Sequence, residues 1–244
     1  MCRMLGMVSR KPIPSMYLRD FRILAEKGKV LHGMRPGHRD GWGIVYFDNG
    51  APKYLDRRPT NAIKDERYDL ALKQIDELGI SGVLLAHLRK RSVGRVALEN
   101  TLPFIIGKWC FTHNGTIYDF HVRVEDEGKS ATDSKRFFRL LVKDIETSGD
   151  GVEDVISRVV ADIKRGYRYS SLTFLLSDGT NLYAYRDISE TKKEDYYGLM
   201  YAKDDQMVIF TQEPIWKKDW EIVSNRCLVI CDKELRIKSF ELEQ

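Results

Sequence analysis

The chain has 244 residues, 43% hydrophobic and 31% charged, with 40 Lys and Arg against 36 Asp and Glu for a formal charge of +4. That composition excludes a disordered chain, because a real core can be buried, and the 18 Gly and 7 Pro exclude a collagen-like or linker-type one. A charge of +4 spread over this length argues little for nucleic acid, whose binding proteins carry a clustered basic face.

The chain reads as short strands broken by helices, with no repeat, low-complexity tract or linker. Arg3 to Ser9 is apolar and strand-like. Tyr17, Phe21, Leu24 and Ala25 stand at helical spacing and predict a helix from Met16 to Gly28. Gly43 to Phe47 is a strand, Asp48-Asn49-Gly50 a hairpin turn, and Lys53 to Asp56 the return strand. A helix is expected from Tyr68 to Leu78, stopping at Gly79. Gly82 to Leu88 and Trp109 to Thr112 are apolar strands.

Two helices follow. Ser134 to Thr147 carries Phe137, Phe138, Leu140, Leu141 and Ile145 on one side. Val152 to Lys164 carries Val152, Val155, Ile156, Val159, Val160 and Ile163, an i, i+3, i+4, i+7 stripe. The remainder reads as strands: Ser171 to Leu176, Asn181 to Tyr185, Gly198 to Ala202, Gln206 to Thr211, Cys227 to Cys231 and Leu235 to Glu241. Strands, then helices, then strands again predict an α+β domain with antiparallel sheets and segregated helices, and a single domain over 1–244.

Four cysteines, Cys2, Cys110, Cys227 and Cys231, are too few for a disulfide scaffold at this length. No apolar run approaches the ~18 residues of a membrane span. The first residues lack the long apolar core and cleavage site of a secretory signal. The expectation is a soluble cytoplasmic protein with reduced thiols and no membrane partner. Cys110 reads as core. Cys227 and Cys231 read as one strand face with no metal partner nearby. Cys2 is the odd one, at a chain end that can rarely bury a side chain.

Five stretches could carry chemistry. If Met1 is removed, the Cys2 thiol lies within reach of its own α-amine, a base near neutrality with a reference pKa of ~7.7–8.0. A nucleophile activated by an N-terminal amine suits acyl transfer. The bland alternative is an ordinary second residue. Thr112-His113-Asn114-Gly115-Thr116 closes an apolar strand. Its Asn114 amide and Gly115 N–H could stabilise an oxyanion, or Asn-Gly could be only a turn. His87-Leu88-Arg89-Lys90-Arg91-Ser92-Val93-Gly94-Arg95 places cations at the end of a core strand. Arg89 could fork a carboxylate there, whereas Arg91 and Arg95 read as surface charges. Asp133, in Ala131-Thr132-Asp133-Ser134, could pair with an ammonium or merely cap a helix with Thr132. Arg39-Asp40-Gly41-Trp42-Gly43 implies close backbone approach, with Trp42 free to pack over a site or simply core.

In order along the chain, these stretches resemble the class II glutamine amidotransferases, members of the N-terminal-nucleophile hydrolases, and among them the small type with no fused synthase domain. The resemblance rests on Met1-Cys2 with Leu5-Gly6-Met7, on His38-Arg39-Asp40-Gly41-Trp42-Gly43, on His87-Leu88-Arg89-Lys90, and on Gly94-Arg95-Val96-Ala97-Leu98-Glu99-Asn100-Thr101-Leu102-Pro103-Phe104. Phe111-Thr112-His113-Asn114-Gly115 and Thr132-Asp133-Ser134 complete it. It spans roughly the first 140 residues; beyond them only the β-rich character matches.

The resemblance implies a four-layer αββα sandwich. It implies Cys2 as nucleophile with its amine as base, Asn114 and Gly115 as the oxyanion hole, Arg89 on the substrate α-carboxylate and Asp133 on its α-ammonium. His87, Asn100 and Trp42 would support these groups. The implied reaction hydrolyses the γ-amide of glutamine, or a related γ-glutamyl amide, through a thioester, with no cofactor and no metal. The ammonia would pass to a separate synthase subunit or be released. The chain departs from the family pattern at Leu102, usually His, and at Lys135, usually Glu. Lys135 would put a cation near the ammonium site and could favour a more anionic γ-glutamyl compound. Two other classes stay open: an inactive homologue that binds a glutamyl ligand or a partner protein, and a nucleic-acid-binding protein using the Arg89–Arg95 cluster.

Overall fold

The computed structural model describes residues 2–121, 131–189 and 194–242. The elements run β1 (Arg3–Ser9), α1 (Met16–Phe21), α2 (Leu24–Lys27), β2 (Trp42–Asp48), β3 (Ala51–Arg58), α3 (Glu66–Leu78), β4 (Gly82–Leu88), β5 (Phe104–Ile106) and β6 (Trp109–Asn114). They continue with α4 (Asp133–Ser148), α5 (Val152–Gly166), β7 (Thr173–Ser177), β8 (Asn181–Arg186), α6 (Glu194–Tyr197), β9 (Met200–Lys203), β10 (Met207–Thr211), β11 (Glu221–Ile222), β12 (Cys227–Asp232) and β13 (Ile237–Glu241).

Two antiparallel sheets result. The seven-stranded sheet has the order β11-β9-β10-β1-β4-β2-β3, and the six-stranded sheet the order β13-β12-β8-β7-β6-β5. Alternation along each inner strand decides the layers. In β1, Leu5 and Met7 face α1, α2 and α3, where Leu18, Phe21, Tyr68 and Ile75 meet them. Met4 and Val8 face the other way, toward Cys110, Leu175 and Ala184 of the second sheet. The second sheet turns Phe111, Phe174 and Leu176 outward onto Phe137 and Phe138 of α4 and the stripe of α5. The fold is therefore helices, sheet, sheet, helices. Each side chain fully buried on these stripes contributes about 1.5–3 kcal/mol. Cys231, with Cys227 partly buried beside it, lies on the inter-sheet face of β12.

Most expected elements fall within two residues of their observed ends. The expected helix from Met16 to Gly28 divides into α1 and α2, because Ile23, Ala25 and Glu26 bond back three residues rather than four. That tighter pitch keeps Leu18, Phe21 and Leu24, spaced by three, on the core face. β5, β11 and α6 were not anticipated; at three, two and four residues they are too short to show a period.

Candidate active site

The strand register builds the site. β1 pairs antiparallel with β4 so that Arg3 lies opposite Leu88 and Met4 opposite His87. The start of β1 thus meets the end of β4. The end of β6, from the facing sheet, reaches the same place. Cys2, Arg89 and Asn114 converge although 112 residues separate the first from the last.

Cys2 is buried, with 7% of its surface exposed, contrary to the expectation for a chain end. The residue beside it explains why. Arg3 is fully buried and its Nε pairs with Glu213, just beyond β10. Its Nη1 donates to the carbonyls of Cys2 at 2.9 Å and Tyr196 at 3.3 Å, and its Nη2 donates to Lys29 O at 2.8 Å. The guanidinium sits over the Tyr196 ring, 4.5 Å from its centre. Glu213 Oε1 also accepts from Lys29 N at 2.7 Å. These contacts clamp the chain start into the sheet.

The Cys2 nitrogen donates to Asn114 Oδ1 at 2.7 Å, and Asn114 Nδ2 donates to Gln212 Oε1 at 3.1 Å. This chain fixes the amide so that its NH₂ is the end left to donate. The Cys2 thiol lies 3.9 Å from Lys90 O. Burial alone would raise its pKa. The positive amino terminus, the neighbouring His87 ring and the Lys90 backbone outweigh that and bring it down to about 5. The thiolate is accordingly the prevailing form at neutral pH, which is the reactive form of cysteine.

Gly115 is required by space. A Cβ there would lie 1.8 Å from the Ser171 carbonyl oxygen. His113, which sequence reasoning did not single out, holds the same corner. Its Nε2 contacts Ser171 O at 3.3 Å and its Nδ1 contacts Ser134 Oγ at 2.8 Å. A carbonyl can only accept, so Nε2 carries the proton and Nδ1 accepts from the serine hydroxyl. Burial lowers its pKa to about 3, so the ring stays neutral.

Arg89 is 4% exposed and leaves the end of β4 under the loop that follows. Its Nη1 donates to Arg95 O and its Nη2 to Val93 O, each at 3.1 Å. Its backbone is held by Gly41 and Asp40 at 2.8 Å. The glycines of this stretch do allow close approach: a Cβ on Gly43 would lie 2.5 Å from Leu102 O. Asp133 opens α4 behind the N-cap residue Thr132, whose side chain makes no capping bond. Asp133 Oδ2 accepts from Ile117 N at 2.9 Å, and burial raises its pKa. Asn100 Nδ2 donates to Arg95 O at 3.2 Å. Cys2, Arg89, Asn100, Gly115 and Asp133 line one cleft of about 350 Å³.

Two expectations are corrected. Trp42 does not pack over this cleft. Its indole donates to Asp65 at 2.9 Å and packs edge-on against Tyr68 under the first helical layer, because β2 turns that face outward. Lys135 does not line the cleft either; with Phe138 and Arg139 it lines a separate cavity. The basic cluster is broken up as well: Arg89 is buried, Lys90 Nζ donates to Arg35 O and Gly37 O, and Arg95 pairs with Glu99. Arg91 and Arg95 are exposed, as expected. Among the described residues no group of three His, Cys, Asp or Glu is placed to hold a metal ion. No helix among them is long and apolar enough to cross a membrane.

A profile of the glutamine amidotransferases class-II matches residues 1–235. The chain belongs to that family. Relatives of this amidotransferase-family chain include an uncharacterised protein of Methanocaldococcus jannaschii, 25% identical over 94% of this chain and 69% of the relative. Another is YafJ of Escherichia coli K12, itself described only provisionally as a glutamine amidotransferase, 28% identical over 76% of this chain and 72% of its own. Among solved structures, a class-II glutamine aminotransferase-domain protein of Silicibacter pomeroyi superposes over 100% of both chains with a TM-score of 0.64 at 18% identity. The glutamine phosphoribosylpyrophosphate amidotransferase of Bacillus subtilis matches 99% of this chain with a TM-score of 0.67 at 12% identity. The family member described here spans 49% of that longer enzyme. At these identities the superpositions show the fold alone, an αββα arrangement shared with those amidotransferase domains.

Proposed function

We propose that the chain hydrolyses the γ-amide of glutamine, or of a related γ-glutamyl compound, on a Cys2 made terminal by removal of Met1. The observation that carries this reading is the convergence in one cleft of a thiol held near pKa 5, Gly115, a buried Arg89 and a buried Asp133, with the Asn114 amide hydrogen-bonded to the Cys2 nitrogen. Removal of Met1 puts the positive amino group on the Cys2 nitrogen itself. The Cys2 thiolate attacks the γ-carbonyl, the ammonium beside it passes a proton to the leaving nitrogen, and the amine so formed takes the proton of the water that cleaves the thioester. Asn114 Nδ2 and the Gly115 N–H face the developing oxyanion. Arg89, with donors left over after its two loop carbonyls, takes the α-carboxylate, and Asp133 takes the α-ammonium. Ammonia or an amine leaves, water cleaves the thioester, and glutamate is released. His87 and Asn100 support these groups, from the thiol side and the loop side respectively.

A single domain over 1–244 serves this reaction, with transfer of the ammonia to a separate synthase partner as the companion reading. The test is glutamate release from glutamine by Met1-free protein beside Cys2→Ala. Activity in the first and none in the second supports the reading; equal activity in both, or none in either, contradicts it.

A further inference from the structure

A second cavity beside the catalytic cleft has no part in this chemistry. It measures roughly 900 Å³ and lies where the edge strands β3 and β5 of the two sheets approach the start of α4. Its lining alternates along the chain with that of the cleft: Glu99 against Asn100, Phe104 against Leu102, Lys135 against Ser134. One wall separates the two. That wall is held from the cavity side, because Arg57 Nη1 donates to Thr101 O at 3.2 Å and Tyr54 Oη donates to Pro103 O at 3.1 Å.

The cavity floor is apolar, made by the buried Phe104 and Phe138 with half-buried Ile106. Three half-buried cations surround it, Arg57, Lys135 and Arg139, the last two one turn apart on the same face of α4. Glu99, the one carboxylate among the described lining residues, is bound by Arg95 through Nε at 2.9 Å and Nη2 at 2.6 Å and also feels the charge of Lys135. Tyr54 adds no charge, since burial pushes its phenol up to about 12. The Arg57 guanidinium lies over the Tyr54 ring, 4.4 Å from its centre, which gives a flat face at one side of the cavity. Lysine at 135, the departure noted in the sequence, supplies one of the three charges.

We infer that this cavity is a binding site for a small anion with an aromatic body, its phosphate or carboxylate met by Lys135, Arg139 and Arg57 and its ring seated on Phe104, Ile106 and Phe138. Volume and composition suit such a ligand, with an apolar floor and few polar groups that set orientation. Guanidinium groups fork either anion. The site is distinct from the glutamyl cleft and does not depend on the proposed catalysis.

Calorimetric titration of the full chain with phenyl phosphate, benzoate, inorganic phosphate and phenol tests it. At least one aromatic anion binds, at least ~10-fold tighter than phosphate or phenol, and weakens as salt is raised. The tighter of the two reports whether phosphate or carboxylate is the native group. Lys135→Glu and, separately, Arg139→Glu weaken that binding by ~10-fold or more with unchanged thermal midpoints. Both residues are half-buried on a helix surface, so folding is preserved in at least one variant. No binding by either aromatic anion, or binding that is equal in the wild type and the folded variants, overturns the assignment.

Discussion

The two halves of the chain serve the same cleft in different capacities. Before residue 135 lie the groups with chemistry to offer: the Cys2 thiol, the Arg89 fork, the Asn114 amide and the Asp133 carboxylate. After it lie the groups that hold them. Ser171 O anchors His113 and leaves room only for glycine at 115, Gln212 orients Asn114, and Glu213 with Tyr196 fixes Arg3 beside Cys2. The difference teaches that the reactive groups all lie in the first segment while the second contributes only placement, and that mutations in the two should fail in separate ways. Damage to the first half should lower turnover in a folded protein. Damage to the second should loosen the fold around an otherwise intact set of groups.

The largest effect expected on stability is at Glu213. Glu213→Ala leaves a fully buried Arg3 without its ion partner, although its carbonyl contacts remain, and should cost about 3–5 kcal/mol in denaturant unfolding. A loss under ~0.5 kcal/mol would show that the clamp does not hold the chain start. Next comes Asn114→Ala, on the chemical side of the divide. Removal of an oxyanion donor should lower kcat by about 10²–10³ with the fold retained, as read by circular dichroism and steady-state kinetics. Full activity would remove Asn114 from the oxyanion hole.

The effect that is smallest near neutrality is one of pH. His113 is neutral in the folded state down to about pH 3, whereas an unfolded histidine binds a proton near 6.5. Between those values the unfolded chain holds the extra proton, so stability rises with pH and is lost on acidification. The slope due to this one group is about 1.4 kcal/mol per pH unit below 6.5. His113→Phe should flatten the acid limb of a stability–pH curve by that amount per unit. An unaltered slope would assign the limb to other groups.

The division also accounts for how much could be read from the sequence. The chemical groups sit in short stretches with turn glycines and strand ends, so Cys2, Arg89, Asn114, Gly115 and Asp133 could be named before any coordinates. The α5 stripe and the apolar runs of β1 and β4 likewise declare their faces through periodicity. Gln212 and Glu213 declare nothing, because a polar pair after a strand is an ordinary strand end. Only the β1–β10 register brings them to Cys2. The Lys135 error was a helical one. Two residues along a helix is about 200° of rotation, so Lys135 and Asp133 are close in sequence but point to different cavities. Trp42 was open to two readings, over a site or core, since a strand presents two faces and the sequence alone does not say which one meets the site; the structure places it in the core.

The central claim is that Cys2 is the nucleophile for a γ-glutamyl group. It is tested most directly by treating Met1-free protein with an electrophilic glutamine analogue at neutral pH and mapping the modified residue by mass spectrometry. Burial raises the thiols of Cys110 and Cys227, and pushes that of Cys231 up to about 12, while Cys2 is held near 5. The account predicts one adduct, on Cys2, whose formation excess glutamine slows. An unmodified Cys2, or modification of the other cysteines at the same rate, would contradict it.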